Sequence, residues 1–338
     1  MSQREENGCK DELLYPTLLP RPLHLRPSKS EPMVPLGTVL HHKYKLIEIV
    51  GAGGYGQIFK AYWKEKKIHV AVKIMSKYHE PQRMILEQQI LLKLQEKAHF
   101  PFLFASGSLP ERYVFVCMEL LGNSLSDLRK RSPGKRLEPQ TAIRVGLQGV
   151  EALKLLHEAG YVHRDVKPGN MCCGNAPSTY RTIYLVDFGL SRKYKSDGRV
   201  MRRKSAGFRG TLRYVSLNVH MRKDQGPMDD LISLFYAIIE LSEGILPWTR
   251  LRKPDDIAIR KKVCKAPKLC KQQPEELYDY YTTCQEAEDV DWPQYDDIAA
   301  CLKKCLPEGA ATPETPMSYE SIIAAQTATI EQTDDEQI

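Results

Sequence analysis

The sequence predicts an α+β, bilobal protein, with a small sheet-rich lobe over residues 44–120 and a larger helical lobe over 121–306. Three observations carry this. Short β-type runs crowd the first region, helical stretches dominate the second, and one of those helices is apolar nearly all round. Such a helix belongs inside a lobe, because at a surface part of it would face water. A chain of 338 residues also exceeds the size at which a single hydrophobic core keeps growing.

Taken in order, residues 1–43 are rich in proline (Pro20, Pro22, Pro27, Pro32, Pro35) and lack periodicity, so they read as a flexible or partly extended arm. Tyr44 to Val50, Ile58 to Trp63 and Ile68 to Met75 read as strands separated by glycine or charged turns. Arg83 to Gln95 reads as a helix, with apolar residues at 84, 85, 91, 92 and 94. A further strand pair is expected between Phe102 and Met118, then helices over Pro139 to Ala159 and Asp229 to Leu241. The last of these is the apolar helix. Past Leu306 the pattern fades, and 307–338 reads as an acidic, threonine-rich, disordered tail.

Composition narrows the function classes. The most apolar stretch, Leu231 to Leu241, is broken by Ser233 and Glu240 and falls short of the ~20 residues a membrane span needs. The first forty residues carry Glu5, Glu6, Asp11 and Glu12 and have no clean apolar core, so no export signal is expected. Nine cysteines then read as free thiols in a reducing compartment, the cytoplasm by default, with nuclear entry left open by the basic core. Cys264, Cys270, Cys284, Cys301 and Cys305 include no Cys-x-x-Cys pair and no histidine among them, which favours packed helix cysteines over zinc. Residues 308–338 hold seven acidic side chains and no basic one, so the core is more basic than the +7 of the whole chain. That excess suits an anionic partner: a nucleotide, an acidic or phosphorylated peptide, or nucleic acid.

Gly51-Ala52-Gly53-Gly54-Tyr55-Gly56 lies between two expected strands, where glycines let backbone N–H groups approach phosphate oxygens. An ordinary hairpin turn would also explain it, and the strand that follows excludes a dinucleotide fingerprint. Val70-Ala71-Val72-Lys73 ends a third strand, and Glu87 follows fourteen residues later on the inner face of the nearby helix. A buried lysine aimed at phosphates needs such a carboxylate to hold it. The decisive segment is His163-Arg164-Asp165-Val166-Lys167-Pro168-Gly169-Asn170. Phosphoryl transfer needs an acceptor for a hydroxyl proton, a cation on the transferring group and an oxygen ligand for magnesium. Asp165, Lys167 and Asn170 supply these types. Leu185-Val186-Asp187-Phe188-Gly189 then delivers a second carboxylate suited to Mg2+.

This set resembles the protein kinases over roughly residues 44 to 306. The resemblance implies the bilobal kinase fold, ATP and Mg2+ as cofactors, and protein substrates with Ser/Thr acceptors, since Lys167 is the serine/threonine mark. It implies a cover over ATP from the loop of Gly51, Gly53 and Gly56, phosphates oriented by Lys73 with Glu87, and Asp165 as base. Lys167 would steady the γ-phosphate, while Asn170 and Asp187 would hold the metal. Within the kinases the chain resembles the casein kinase 1 superfamily, and in it the tau-tubulin kinase-like branch. The residues that carry this are Met118-Glu119-Leu120-Leu121-Gly122, Pro177-Ser178-Thr179-Tyr180-Arg181, Gly207-Phe208-Arg209-Gly210-Thr211-Leu212-Arg213-Tyr214, Ser216-Leu217-Asn218 and Leu246-Pro247-Trp248. By that match Met118 is the gatekeeper, and the backbone of Glu119 and Leu121 meets adenine. Ile58, Ala71 and Cys172 sandwich the ring, and Asp127 lies near the ribose. Asp230 holds the catalytic-loop backbone, Thr211 contacts Asp165 and Lys167, and Arg213 contacts a substrate anion.

Between Asp187 and Asn218 lie nine basic residues, among them Arg192, Arg202, Arg203, Lys204 and Arg209. They read either as a solvated loop or as a surface for acidic or phospho-primed substrates. Asp256 stands where a basic partner of Arg213 would be expected. Two rival functions stay open at this level: a pseudokinase, weakened by the complete residue set, and a binding module working through the proline-rich arm. A monomer, no nucleic acid and no membrane are the default expectations for partners.

Overall fold

The computed structural model describes residues 31–335, apart from 54–55, 79, 110–111, 265, 272, 287–291, 311 and 313. Six strands form the first lobe: β1 (Val39–Leu40), β2 (Tyr44–Gly53), β3 (Gly56–Trp63), β4 (Ile68–Ser76), β5 (Leu103–Ser108) and β6 (Tyr113–Glu119). They run antiparallel in the order β1-β2-β3-β4-β6-β5. Alternation sends Tyr44, Leu46, Phe59, Val72 and Phe115 to one buried face. The opposite face packs on helix α1 (Gln82–Lys93) through Met84, Ile90 and Leu91. Burying each such side chain contributes about 1.5–3 kcal/mol before entropy is counted.

The larger lobe begins with α2 (Leu125–Arg131) and α3 (Pro139–Glu158), followed by the short strands β7 (Tyr161–Val162), β8 (Met171–Cys173), β9 (Ile183–Leu185), β10 (Arg192–Lys193), β11 (Lys195–Ser196) and β12 (Arg199–Val200). Helices α4 (Leu217–His220), α5 (Pro227–Glu243), α6 (Pro254–Val263), α7 (Ala266–Leu269), α8 (Glu276–Glu286) and α9 (Tyr295–Lys304) follow. The expected apolar helix is α5, four residues longer than the expected Asp229 to Leu241, and it is buried along nearly its whole length. It can lie close to α3 because α3 presents glycines there. A Cβ on Gly146 would sit 2.5 Å from Ile238 Cδ1, and one on Gly149 2.7 Å from Leu234 Cδ1.

Two expectations about the chain ends differ from the structure. Residues 1–30 of the arm lie outside the described residues, but 31–43 are not a loose extension. Val34 and Leu40 are buried in the sheet lobe, and Gln57 bonds the backbone of Glu31 and Met33 at 2.7 Å each. The segment 307–338 is expected to be disordered, yet its described part carries helix α10 (Glu320–Asp335), and residues 317–323 pack on the larger lobe. Met317, Tyr319 and Ile323 are buried, and Arg181 grips both oxygens of Glu320 at 2.8 and 3.1 Å. Arg144 donates to the Pro316 and Thr312 carbonyls, both at 3.1 Å. The physical reason is that two distant arginines answer the acidity and open carbonyls of the tail, a pairing that composition does not reveal.

Candidate active site

Lys73 leaves the middle of the sheet on β4, paired in register with Ile58 of β3. Its ammonium lies 2.6 Å from Glu87 Oε2 on α1 and 2.9 Å from Asp187 Oδ1. Burial works against the charge of Lys73, but the two carboxylates outweigh it and raise its pKa. In turn Lys73 holds the Asp187 carboxyl down at about 2, against its own burial. Asp187 adopts a left-handed backbone (φ 66°), which turns its carboxylate from the end of β9 toward Lys73.

The loop after β7 is fixed from beneath by Asp230 in the first turn of α5. Its carboxylate accepts the backbone N–H of His163 at 2.6 Å and of Arg164 at 2.8 Å, and Nε2 of His157 lies 2.9 Å away. Asp165 thereby meets three partners. Lys167 donates to Oδ2 at 2.6 Å, the Thr211 hydroxyl donates to Oδ1 at 2.7 Å, and the Asn170 amide donates to Oδ2 at 3.2 Å. Lys167 also donates to Thr211 at 3.1 Å, closing a three-membered ring of contacts. Because the Asn170 NH2 is spent on Asp165, its amide oxygen is the group left to face a ligand. That oxygen and the Asp187 carboxylate are hard donors of the kind magnesium takes alongside water and phosphate. The donor set fits the ion. Among the described residues no group of three or more His, Cys, Asp or Glu is arranged to hold a metal, and the helix cysteines are free.

The expected adenine residues come together at the junction of the lobes. Ala71 of β4 and Met118 of β6 are register partners and both are buried. Glu119 ends β6, with its carboxylate accepting from Phe102 N at 3.2 Å. Leu121 is buried in the connection that follows, and Cys172 on β8 bridges to Ser124. Burial pushes the Cys172 thiol up. Asp127 lies in the first turn of α2, where it accepts the Ser124 hydroxyl at 2.9 Å and Lys130 at 3.3 Å. Of the glycine loop, Gly51 and Gly53 end β2 and Gly56 opens β3; residues 54–55 lie outside the described residues. Gly56 (φ 136°) must be glycine, because a Cβ would strike the Ile74 carbonyl.

Arg213 does not present a free cation. Its Nη1 lies 2.8 Å from Oε1 of Glu240, which is 2 % exposed on α5 and also accepts the Tyr214 hydroxyl. Sequence reasoning missed this partner. The available signal was the one carboxylate inside the apolar run Leu231 to Leu241, which only a nearby cation or donor can make tolerable.

Residues 44–309 match the family model described as the protein kinase domain. A protein of Caenorhabditis elegans provisionally named casein kinase I is 39 % identical over 279 residues, covering 80 % of this chain and 81 % of that one. The chain belongs to the casein kinase 1-like protein kinases. A second relative of this kinase, from Dictyostelium discoideum and provisionally named a serine/threonine-protein kinase, is 33 % identical over 286 residues, 84 % of this chain and 58 % of the relative. A third, again from C. elegans and provisionally named a serine/threonine-protein kinase, is 34 % identical over 285 residues and 82 % of each chain. The enzyme is a serine/threonine kinase, a class that in general uses ATP and Mg2+.

Proposed function

We propose that this kinase transfers the γ-phosphate of ATP to serine or threonine in acidic stretches of protein substrates, without needing a phosphate already in place. Bound magnesium supplies neutralisation of the phosphate charge, and Asn170 and Asp187 are the residues proposed to hold it. The acceptor hydroxyl gives its proton to Asp165 as its oxygen bonds to phosphorus and the bond to ADP breaks. Lys167 faces the charge that gathers on the transferring group. Thr211 fixes the carboxylate's orientation through its 2.7 Å hydrogen bond. Lys73, held by Glu87, steadies the remaining phosphates.

The observation that carries the acidic preference is the sign of the surface around Ser216 to Asn218, the segment that follows the Thr211 turn. A cleft of about 510 Å3 there is lined by Arg192, Arg202, Arg203, Lys204 and Lys223, against only Asp224 and Asp229. Both acids are committed. Asp224 pairs with Arg192 at 3.0 Å, and Asp229 is bonded by Ser216 and by the Gly226 N–H. Arg203, Lys204 and Lys223 are exposed, so the cationic surplus faces outward. The ion pair of Arg213 with Glu240 argues against a pocket for a single priming phosphate at that residue.

The test compares acidic, neutral and phosphoserine-containing peptides on the wild type and on an Arg203→Gln/Lys204→Gln variant. The acidic peptide is expected to be preferred, and the variant to lose about fivefold in kcat/KM on it, an effect that shrinks in high salt. Equal use of acidic and neutral peptides by the wild type would overturn the preference. No transfer by an Asp165→Asn variant, beside an active wild type, is the expected control.

A further inference from the structure

Lys261 is a lysine in an unusual place. It lies in the last turn of α6, is 2 % exposed, and forms no ion pair with a carboxylate among the described residues. A lysine is almost never fully buried unless something compensates the lost hydration. Here the compensation comes from one short stretch of backbone. The ammonium donates to the Leu212 carbonyl at 2.8 Å and the Val215 carbonyl at 2.6 Å, with Nε2 of His220 at 3.4 Å. The faces of Tyr236 and Trp248 lie 5.3 and 5.4 Å away, within cation–π range.

As an ammonium, Lys261 has three protons for three acceptors, which work against the burial that pushes its pKa down to about 7. The match requires His220 to be neutral with its lone pair on Nε2, which agrees with burial pushing its pKa down to about 4. A second donor comes from the same side: the Trp248 indole N–H reaches the Arg213 carbonyl at 2.7 Å. The carbonyls of Leu212, Arg213 and Val215 are therefore all taken by side chains lying beneath the turn. That turn begins at Thr211, whose carbonyl accepts the N–H of Tyr214 at 2.8 Å and whose hydroxyl bonds Asp165.

We propose that Lys261 and Trp248 are positioning residues for protein-substrate phosphorylation: they pin the 211–215 turn from below, so that Thr211 is presented to Asp165 and the acceptor segment finds a rigid platform. Both side chains are buried beneath the turn and belong neither to the catalytic cluster nor to the nucleotide-binding residues. The nucleotide-binding residues stand on other elements, namely β2, β3, β4, β6, β8 and α2, so the pins bear on the acceptor side of the site and not on ATP binding. Their action does not depend on the charge of that substrate, which separates this proposal from the acidic preference above.

The experiment measures steady-state kinetics of Lys261→Met, a variant of similar length and no donor, with an acidic and a neutral peptide. The peptide KM is expected to rise at least tenfold on both, with the ATP KM within twofold of wild type. Amide hydrogen exchange over 209–218 is expected to speed up while that of β4 and α1 stays unchanged. A general structural role would instead move both KM values together or leave the exchange pattern uniform, and either result overturns the proposal. If Lys261→Met gives no soluble protein, Trp248→Phe decides. It keeps a ring face and removes one donor; a threefold or greater rise in peptide KM alone supports the pins, and an unchanged value overturns them.

Discussion

Replacing Glu240 by glutamine tests how Arg213 is used. Glu240 is 2 % exposed and accepts from Arg213 at 2.8 Å and from the Tyr214 hydroxyl. A hydrogen bond to a charged group is worth about 1.5–3 kcal/mol. The Arg213 side chain is 37 % exposed, so solvent screens the pair and the lower end applies, about 1–2 kcal/mol for an isosteric change. A domain of this size loses roughly 2–4 °C in Tm per kcal/mol, so thermal denaturation should show a fall of about 2–8 °C. The freed guanidinium then has its charge to offer. If Glu240 is what keeps Arg213 from binding a substrate phosphate, kcat/KM for phosphoserine-containing peptides should rise relative to unphosphorylated ones. A gain of about 1.4 kcal/mol corresponds to tenfold. The assay is a peptide set in which one phosphoserine is walked along positions flanking the acceptor. A ratio that stays flat or falls at every position, in a protein whose Tm has dropped as stated, would refute the idea that Glu240 occupies an otherwise usable anion site.

Two further outcomes follow from the site and the tail. Asp187 sits below its ordinary carboxyl range because Lys73 is beside it, so its ionised form contributes stability that is present above the unfolded value of 3.8 and lost as pH falls toward about 2. Comparing Tm against pH for wild type and Asp187→Asn should show a steeper acid loss in the wild type across that window; parallel curves would count against the pairing. Ending the chain at residue 311 removes the buried side chains of Met317, Tyr319 and Ile323 and leaves Arg144 and Arg181 without their carbonyl and carboxylate acceptors. A drop of several kcal/mol in denaturant unfolding is expected, on the scale of about 1.5–3 kcal/mol for each apolar side chain lost. Unchanged stability would mean that the tail adds nothing.

The sheet lobe, the buried helix and the catalytic cluster were legible because their signals are local. Alternation marks strands, all-round apolarity marks α5, and three functional types crowd within six residues of Asp165. Even the long-range pair of Lys73 with Glu87 could be read, since a strand lysine and an inward helix carboxylate each lack another reason to be there. What escaped reading depends on partners far apart in the chain. The tail holds few apolar residues, and its anchors Arg144 and Arg181 sit more than a hundred residues upstream. Glu240 looked like an interruption of an apolar run, when it is the counter-charge of Arg213. Lys261 gives no sign of itself in the sequence, because the acceptors that make its burial tolerable are backbone carbonyls, which every residue has.

The ion pairs joining Lys73 to Glu87 and Asp187 tie a strand and a helix of the first lobe to the end of β9 in the second through one ammonium. Because Lys73 and Glu87 belong to the first lobe and Asp187 to the second, rotating one lobe against the other stretches the Lys73–Asp187 contact before it disturbs Lys73–Glu87.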